Sequence, residues 1–281
     1  MTNEKVQEIL LEEFNKQKEI RSSNDWQKVT KNLLHSLSDV NLLQIHIDNP
    51  NSHRLEKLEH DSLFGEYAHI KGGVCELNPI AKERILSDLY LLEIGSFYPT
   101  VIKQLIESNI LDTTINFNKV FLTIFYFRQH NRRTKLGDTS TIYSSEFHTF
   151  YKVWINYVYG IISNPNKSQD YRFGNTINIT EYTKKIFRKI ITNFTWVYVD
   201  TDEIYCYLKD KRVVSDVFSE HGLTFGIKAL GYSYFKSKKK FFITDGKGNI
   251  SFRGIKQGTE LEAENELKIL HRDDRINEIL N

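Results

Sequence analysis

The sequence predicts an α+β fold with a mainly antiparallel sheet. Helical patterns open the chain, short apolar strand patterns alternate with further helices, and a hairpin with the turn signal Asp245-Gly246-Lys247-Gly248 ends the patterned region. The composition fits a globular protein, since 40% of the 281 residues are hydrophobic and 26% are charged.

The patterns of the first half predict helices and two strands. Apolar residues at helical spacing predict helices at 2–21, 24–37, 118–133 and 144–163. Strand patterns lie at 67–77 and 88–95, after a polar loop or linker at 48–61. Pro99 predicts the start of a further helix through residue 109.

The second half predicts a basic helix, a pair of strands and the closing hairpin. A loop around Pro165 precedes a helix at 180–193, and another helix is expected near 210–221. The predicted strands are 194–200, 203–208, 235–244 and 249–255.

Charge and cysteine usage exclude several classes of protein. The net charge is +2, and the chain lacks both an apolar run of about 18 residues and a signal-peptide core at its start, so we expect neither a membrane span nor secretion. Cys75 and Cys206 have no metal-type or disulfide spacing, which indicates an intracellular, reducing location. Basic clusters at 128–135, 184–189 and 236–240 are either phosphate-binding or solvated surface.

Two aspartates between two apolar strands are the strongest chemical signal. Asp200 and Asp202 flank Thr201, and ionised carboxylates beside a buried sheet are costly unless paired or metal-bound. In an extended segment they would project to the same side, where hard oxygen ligands suit Mg²⁺. The alternative is a polar hairpin turn, in which Asp and Thr are common.

A second carboxylate signal lies at the end of the strand pattern 88–95. Glu93 is followed by Gly95, Ser96, two aromatic residues and Pro99. A carboxylate at this strand end would complete a metal cluster with Asp200 and Asp202. The alternative is an incidental Glu before a helix N-terminus.

Polar residues on one face of an apolar helix form the third signal. Lys152, Asn156 and Tyr159 are spaced i, i+4 and i+7, and a Lys there can contact a triphosphate. An exposed polar stripe is the alternative.

The closing hairpin carries the fourth signal, a basic run beside aromatic residues. Lys238, Lys239 and Lys240 precede two phenylalanines, and Arg253 to Lys256 follow within the same hairpin. The run indicates either a grip on a nucleic-acid backbone or a basic edge strand that resists aggregation.

Taken in order, these segments resemble the polymerase motifs of the family B DNA polymerases over about residues 68–256. The family's patterns are roughly Y-x-G-G, D-x-x-S-L-Y-P-S, K-x-x-x-N-S-x-Y-G, Y-G-D-T-D-S, K-K-x-Y and K-G-I-K. The matching segments are 70–73, 93–100, 152–160, 198–203, 239–241 and 253–256.

The resemblance implies an antiparallel polymerase palm sheet with a helical fingers insertion and N-terminal helices. The implied divisions are an N-terminal helical segment at 1–66, palm at 67–117 and 164–256, short fingers at 118–163, and an acidic C-terminal helix or tail at 257–281. The chain is too short for the family's exonuclease domain and full thumb, so either a second chain supplies those parts or this protein has reduced them.

The resemblance also assigns site residues. Glu93, Asp200 and Asp202 would be catalytic and would hold two Mg²⁺ ions, for which Mn²⁺ can substitute. Nucleotide contacts are implied for Ser96, Phe97, Tyr98, Lys152 and Asn156, and Arg128 and Arg132 on the preceding helix are further candidates. DNA contacts are implied for Gly72, Gly73, Tyr159, Gly160, Lys239, Lys240, Arg253 and Lys256.

The implied function is template-directed DNA synthesis, with dNTP and primer–template DNA as partners and no membrane. A minimal or split enzyme of virus-like type would act in the host cytoplasm. Glu93 stands where the family has Asp, and Glu203 replaces a Ser. These departures keep open a DNA-binding or scaffolding descendant without catalysis. A reverse transcriptase is the third alternative.

Overall fold

The fold is α+β with an antiparallel sheet, as the sequence predicts. A computed structural model describes residues 3–16, 23–37, 73–110, 115–134, 145–162, 179–245, 247 and 249–254. Within these ranges lie seven α-helices and eight β-strands. None of the helices in the described ranges has the length and apolar character that crossing a bilayer requires.

The helices agree with the predicted ones to within a few residues. Their bounds are α1 Asn3–Lys16, α2 Ser23–Ser36, α3 Phe97–Glu107, α4 Ile115–Thr134, α5 Ser145–Ile162, α6 Ile179–Ile191 and α7 Lys211–Glu220. α7 begins where the Asp210 side chain accepts a hydrogen bond from the backbone N–H of Arg212. α3 begins two residues before Pro99, because Ser96 adopts a left-handed conformation (φ 52°) and ends the preceding strand.

The strands form one eight-stranded sheet. Their bounds are β1 Cys75–Leu77, β2 Ile85–Leu86, β3 Tyr90–Gly95, β4 Thr195–Asp200, β5 Glu203–Tyr207, β6 Thr224–Ser237, β7 Lys240–Asp245 and β8 Ile250–Arg253. A 3-10 turn lies at Pro79–Ala81. The strand order is β1-β4-β5-β3-β6-β7-β8, with β2 paired to β6, and all these pairs are antiparallel.

The strand predicted at 235–244 is wrong, because a turn at Lys238 and Lys239 divides it. Residues up to Ser237 complete β6, Lys239 has a φ of 60°, and β7 starts at Lys240. The long strand β6 was not predicted, and of the strand predicted at 67–77 only Cys75–Leu77 is a strand within the described part. The predicted loops at 48–61 and around Pro165, and the tail 257–281, lie outside the described residues.

The chain divides into two compact units. A helical unit contains Met1–Lys71 and Ser96–Lys185, and a sheet unit contains Gly72–Gly95 and Ile186–Asn281. The boundary after Gly95 falls where β3 ends, whereas the predicted fingers begin at residue 118. The assignment of residues to palm and fingers stays a prediction.

Aromatic packing holds the helical unit together. The Phe150 ring of α5 lies 5.3 Å from the Phe14 ring of α1 and 5.1 Å from the Trp26 ring of α2. The indole N–H of Trp154 donates to Thr30 Oγ1 over 3.1 Å, and the Tyr151 hydroxyl donates to a backbone carbonyl of α1. The buried indole and phenol therefore pack as apolar bodies with their polar ends satisfied.

The sheet unit buries both faces of its central strands. On one face, Tyr198 of β4 packs against Phe235 and Phe241 of the β6–β7 hairpin, with ring centroids 5.3 and 5.0 Å away. On the other face, the Phe218 ring of α7 lies 5.0 Å from the Phe225 ring of β6. These contacts pack β4 against the β6–β7 hairpin and α7 against β6.

Candidate functional site

The turn between β4 and β5 carries the two predicted aspartates. Asp200 ends β4, Thr201 has a φ of 62°, and the Asp202 N–H donates to the Asp200 carbonyl over 2.7 Å. Residues 200–202 therefore form a tight turn rather than an extended segment, and strand alternation does not apply to Asp202. The Asp202 carbonyl accepts from the N–H of Ile94 over 2.8 Å, so the turn lies beside the end of β3.

Three carboxylates lie in a row across β4, β5 and β3. Asp200 is opposite Glu203, and Glu203 is opposite Glu93. Residues opposite one another in antiparallel strands share a face, with Cα atoms about 4.5–5.5 Å apart. We call Asp200, Glu203 and Glu93 the acidic row. The first and last members were predicted, and the middle one was not assigned a role.

Asp200 is the most enclosed member of the acidic row. Its carboxylate accepts from the Tyr198 hydroxyl over 3.3 Å and from Thr201 Oγ1 over 3.2 Å. Two cationic side chains lie slightly further away, since Lys239 Nζ is 4.0 Å and Arg253 Nη1 is 3.8 Å from its oxygens. Asp200 is therefore held by hydrogen bonds and faces positive charge.

Glu203 is held by two residues on the same face. Arg253 Nη1 and Nη2 donate to its two oxygens over 2.7 and 2.9 Å, and the Tyr205 hydroxyl donates over 3.1 Å. Desolvation first, and then the Glu203 charge, raises the pKa of Tyr205, so this phenol stays protonated and can donate at neutral pH.

Asp202 lies among like charges. Desolvation, followed by repulsion from Glu203, Asp200 and Glu93, raises the pKa of Asp202 above its ordinary value, while a backbone hydrogen bond opposes the rise. The turn leaves Asp202 solvent-accessible, so water screens part of this repulsion. Beside desolvation, the repulsion shows that Asp202 has three carboxylates as neighbours.

The basic turn at Lys239 is anchored to the strand that carries Asp200. The Lys239 N–H donates to the Tyr198 hydroxyl over 3.1 Å, and Cys75 Sγ lies 3.5 Å from the same oxygen. Gly254 has a φ of 63°, and a Cβ there would lie 2.0 Å from the Lys239 carbonyl oxygen. Only a glycine permits this approach, which brings the end of β8 and the Lys239 turn together.

The donor chemistry of this region suits a divalent cation. Carboxylate oxygens are the ligands that Mg²⁺ prefers, and a cation would relieve the like-charge repulsion around Asp202. Within the described ranges, no three His, Cys, Asp or Glu side chains converge as a group that could hold a metal ion in their present positions. Glu93 and Asp202 are both exposed, and changes of side-chain rotamer can alter where their carboxylates point.

The predicted nucleotide-contacting residues lie in the helical unit. Lys152 and Asn156 are exposed one helical turn apart on α5. Ser96 precedes α3, Phe97 is buried, and the Tyr98 ring lies 6.0 Å from that of Phe97.

The structure describes some of the remaining predicted site residues fully and others only in part. Lys240 is exposed at the start of β7, Gly73 precedes β1, and Arg128 is half-buried on α4. Arg132, Tyr159 and Gly160 lie within helices, and the side chains of Arg132 and Tyr159 are outside the described part. Gly72 and Lys256 lie outside it altogether. The structure brings together Glu93, Asp200, Asp202, Lys239 and Arg253.

Sequence reasoning missed Glu203 and Tyr198 as parts of the site. A two-residue turn at Thr201 and Asp202 places Asp200 opposite Glu203, so the position of Glu203 follows from hairpin geometry. The hydroxyl contacts of Tyr198 depend on β1 and on the Lys239 turn, and no local pattern indicates them.

Solved structures similar to this chain are DNA polymerases. The family B DNA polymerase from the hyperthermophilic archaeon Pyrobaculum calidifontis matches with 16% identity and a TM-score of 0.49, over 80% of this chain and 36% of that one. Phi29 DNA polymerase, in a ternary complex with primer-template DNA and incoming nucleotide substrates, matches with 13% identity and a TM-score of 0.46, over 90% of this chain and 64% of that one.

This chain therefore spans less than two thirds of the length of either polymerase. No protein-family model and no curated protein matches it. The proposed function therefore rests on the acidic row and the residues around it.

Proposed function

We propose that this chain is the catalytic palm of a template-directed DNA polymerase, which transfers a nucleotide from dNTP to a primer 3′-hydroxyl. The observation that supports this most is the acidic row together with Asp202. Four carboxylates, on β3, β4, β5 and the β4–β5 turn, lie near one another, whereas among the described residues two cations, Lys239 and Arg253, lie within 4.0 Å of any of them. Such unbalanced clusters are typical of functional sites.

Glu93 and Asp202, with Asp200 beside them, would hold two Mg²⁺ ions. When bound, such a pair supplies activation of the attacking hydroxyl and neutralisation of charge on the leaving pyrophosphate. The role of the chain itself is positioning. The hydrogen bonds to Asp200 and the bonded turn at Asp202 fix the carboxylates before substrate arrives, and such preorganisation favours phosphoryl transfer.

The cationic side chains beside the acidic row would contact the primer–template backbone. Lys239 and Lys240 are exposed, and the Lys239 backbone is fixed by Tyr198, so its ammonium group starts from a defined position. Lys152 and Asn156 would contact the incoming triphosphate, and Tyr98 would pack under its sugar. A second chain would contribute exonuclease and thumb functions, inside the cell.

Primer extension by the purified chain in Mg²⁺ tests this proposal. We expect extension that stops on chelation and that falls by about 100-fold or more in Asp202→Asn and in Glu93→Gln. Asp216→Asn, which removes an exposed carboxylate from α7, is the matched control and should extend normally. If all three variants extend as the parent chain does, the acidic row is not the catalytic site.

A second candidate is a DNA-binding or scaffolding protein without catalysis. The pairing of Glu203 with Arg253 favours it, since it places a fixed ion pair where the polymerase pattern has a small Ser. This candidate requires salt-dependent DNA binding with no extension in Mg²⁺ or Mn²⁺, alone or with partner chains added. Extension on RNA rather than DNA templates would instead indicate a reverse transcriptase.

A further inference from the structure

Arg253 is the cation closest to the acidic row. Its guanidinium forms a two-pronged contact with Glu203, lies 3.8 Å from an Asp200 oxygen, and stands over the Phe241 ring with 5.5 Å to the centroid. It therefore contacts the middle member of the row and reaches toward the first.

We propose that Arg253 is a resident counter-cation of the acidic row, which withdraws Glu203 from the binding of divalent ions. Glu203 is then a positioning residue that fixes Arg253, and not a metal ligand. This inference concerns the regulation of cation binding at the proposed polymerase site and rests on that proposed function.

Geometry favours a stable pairing. The fork of a guanidinium matches the two oxygens of a carboxylate, and this group remains protonated throughout the physiological pH range. Contact with the Phe241 ring and the close approach of Gly254 to the Lys239 carbonyl limit where Arg253 can move. The positive charge is therefore positioned before any ligand binds.

Electrostatics explains why such a cation is needed. Without Arg253, Glu203 would be an uncompensated negative charge between Asp200 and Glu93, its neighbours in the row. Repulsion between like charges at such distances is substantial even with partial solvent screening. Arg253 neutralises the Glu203 charge. Among the described residues, Glu93 and Asp202 are then the carboxylates of this region that have no ion pair.

Opposite effects on cation affinity follow from the two single substitutions. Arg253→Gln leaves Glu203 charged and unneutralised, so a divalent ion should bind more tightly. Glu203→Gln releases Arg253 to approach Asp200, so the ion should bind more weakly. The double variant removes one charge of each sign and should return close to the parent affinity. A purely structural ion pair would not produce this pattern.

Titration of the full chain with Mn²⁺, followed by the electron paramagnetic resonance signal of the free ion, measures these affinities. We expect about two- to tenfold tighter binding in Arg253→Gln and about two- to tenfold weaker binding in Glu203→Gln. Arg253→Lys keeps the charge and should stay within about twofold of the parent. Lys247→Gln, in the turn between β7 and β8, is the control for loss of a surface charge and should not change the affinity.

Three results would overturn the inference: a parent chain that binds no Mn²⁺, Arg253→Gln binding Mn²⁺ no more tightly than the parent, or Glu203→Gln and the double variant losing affinity equally. The proposed function fails differently, when the parent binds Mn²⁺ and Glu93→Gln and Asp202→Asn bind it as the parent does.

Discussion

Charged side chains are arranged differently in the helical unit and at the acidic row. In the helical unit, Lys184 and Glu181 are both buried and paired at 2.8 Å within α6. The buried Lys103 pairs at 3.2 Å with the half-buried Glu107 within α3. Each of these pairs joins residues three or four positions apart, so the helix itself brings them together.

The acidic row is neither balanced in charge nor formed within a single helix or strand. Its members come from three strands, they share one sign, and the cations beside them come from the hairpin rather than from the same element. The difference teaches that charge balance separates the two kinds of site. Balanced local pairs are typical of structural ion pairs, whereas an unbalanced group assembled from distant segments is typical of a functional site.

The largest expected effect is on the buried pair of α6. Lys184→Ala leaves the buried Glu181 carboxylate without its cation and should lower the free energy of unfolding by about 3–5 kcal/mol. Chemical denaturation measures this loss. The double variant Lys184→Met with Glu181→Gln removes both charges and should recover most of it. A loss below about 1 kcal/mol in the single variant would contradict the comparison.

The second expected effect concerns the backbone that holds the cations at the acidic row. Gly254→Ala forces a side chain onto a φ of 63° and against the Lys239 carbonyl, and should cost about 1–3 kcal/mol. Gly226→Ala is the matched control, because its Cβ would meet only Glu93 Oε2, at 4.0 Å. Equal melting temperatures for the two variants would show that the close approach is unnecessary.

An ion pair of opposite charges in the sheet unit should contribute less to the free energy of unfolding than the two preceding features. Arg188 of α6 donates to Glu76 of β1 over 2.8 Å, and this bond lowers the pKa of Glu76. Glu76→Gln should cost about 0.5–1 kcal/mol at neutral pH, after allowance for solvent screening.

The pH dependence of that cost follows from the lowered pKa. The stability that the Glu76 carboxylate contributes is present above the ordinary Glu pKa and is lost as the pH falls through the lower, folded-state pKa. The free energies of unfolding of the parent and of Glu76→Gln should therefore become more similar at acidic pH. Chemical denaturation of both proteins at neutral and at acidic pH measures this. A difference that grows on acidification would contradict it.

The smallest effect has the opposite sign. Asp202→Asn removes a carboxylate whose pKa is raised first by desolvation and then by its charged neighbours, so it should increase stability by a few tenths of a kcal/mol in the absence of divalent ions. Scanning calorimetry at low and high salt measures it, and salt should reduce the gain. A gain in stability together with a loss of primer extension would support the contrast between structural ion pairs and the acidic row. A clear loss of stability would contradict it.

Local patterns in the sequence predict most of this fold. The bounds of α7, β4 and β5 follow from apolar periodicity and from turn residues, and the carboxylates at the ends of strands mark the site. β6 escaped prediction because it contains Gly226 and Gly231 and is exposed over much of its length. The turn at Lys238 and Lys239 has no Gly, Asn or Asp to indicate it.

The features that local patterns do not predict depend on pairing between strands that are distant in the sequence. The register that places Glu93 opposite Glu203 depends on packing between distant strands, which no local pattern specifies. The contact between Arg253 and Glu203 likewise needs the β6–β7–β8 path to return across the sheet. The sequence therefore indicates which residue types the site uses, and the register shows which of them are neighbours.

The discontinuous make-up of the sheet unit bears on how the chain is synthesised. β1, β2 and β3 find their described partners only in the segment after residue 186, and Tyr198 lies 123 positions after Cys75. A nascent chain on the ribosome would carry the apolar strand β3 without neighbours while the intervening helices emerge. Such delayed pairing is slow and favours aggregation, so expression at low temperature or with chaperones should increase the soluble yield.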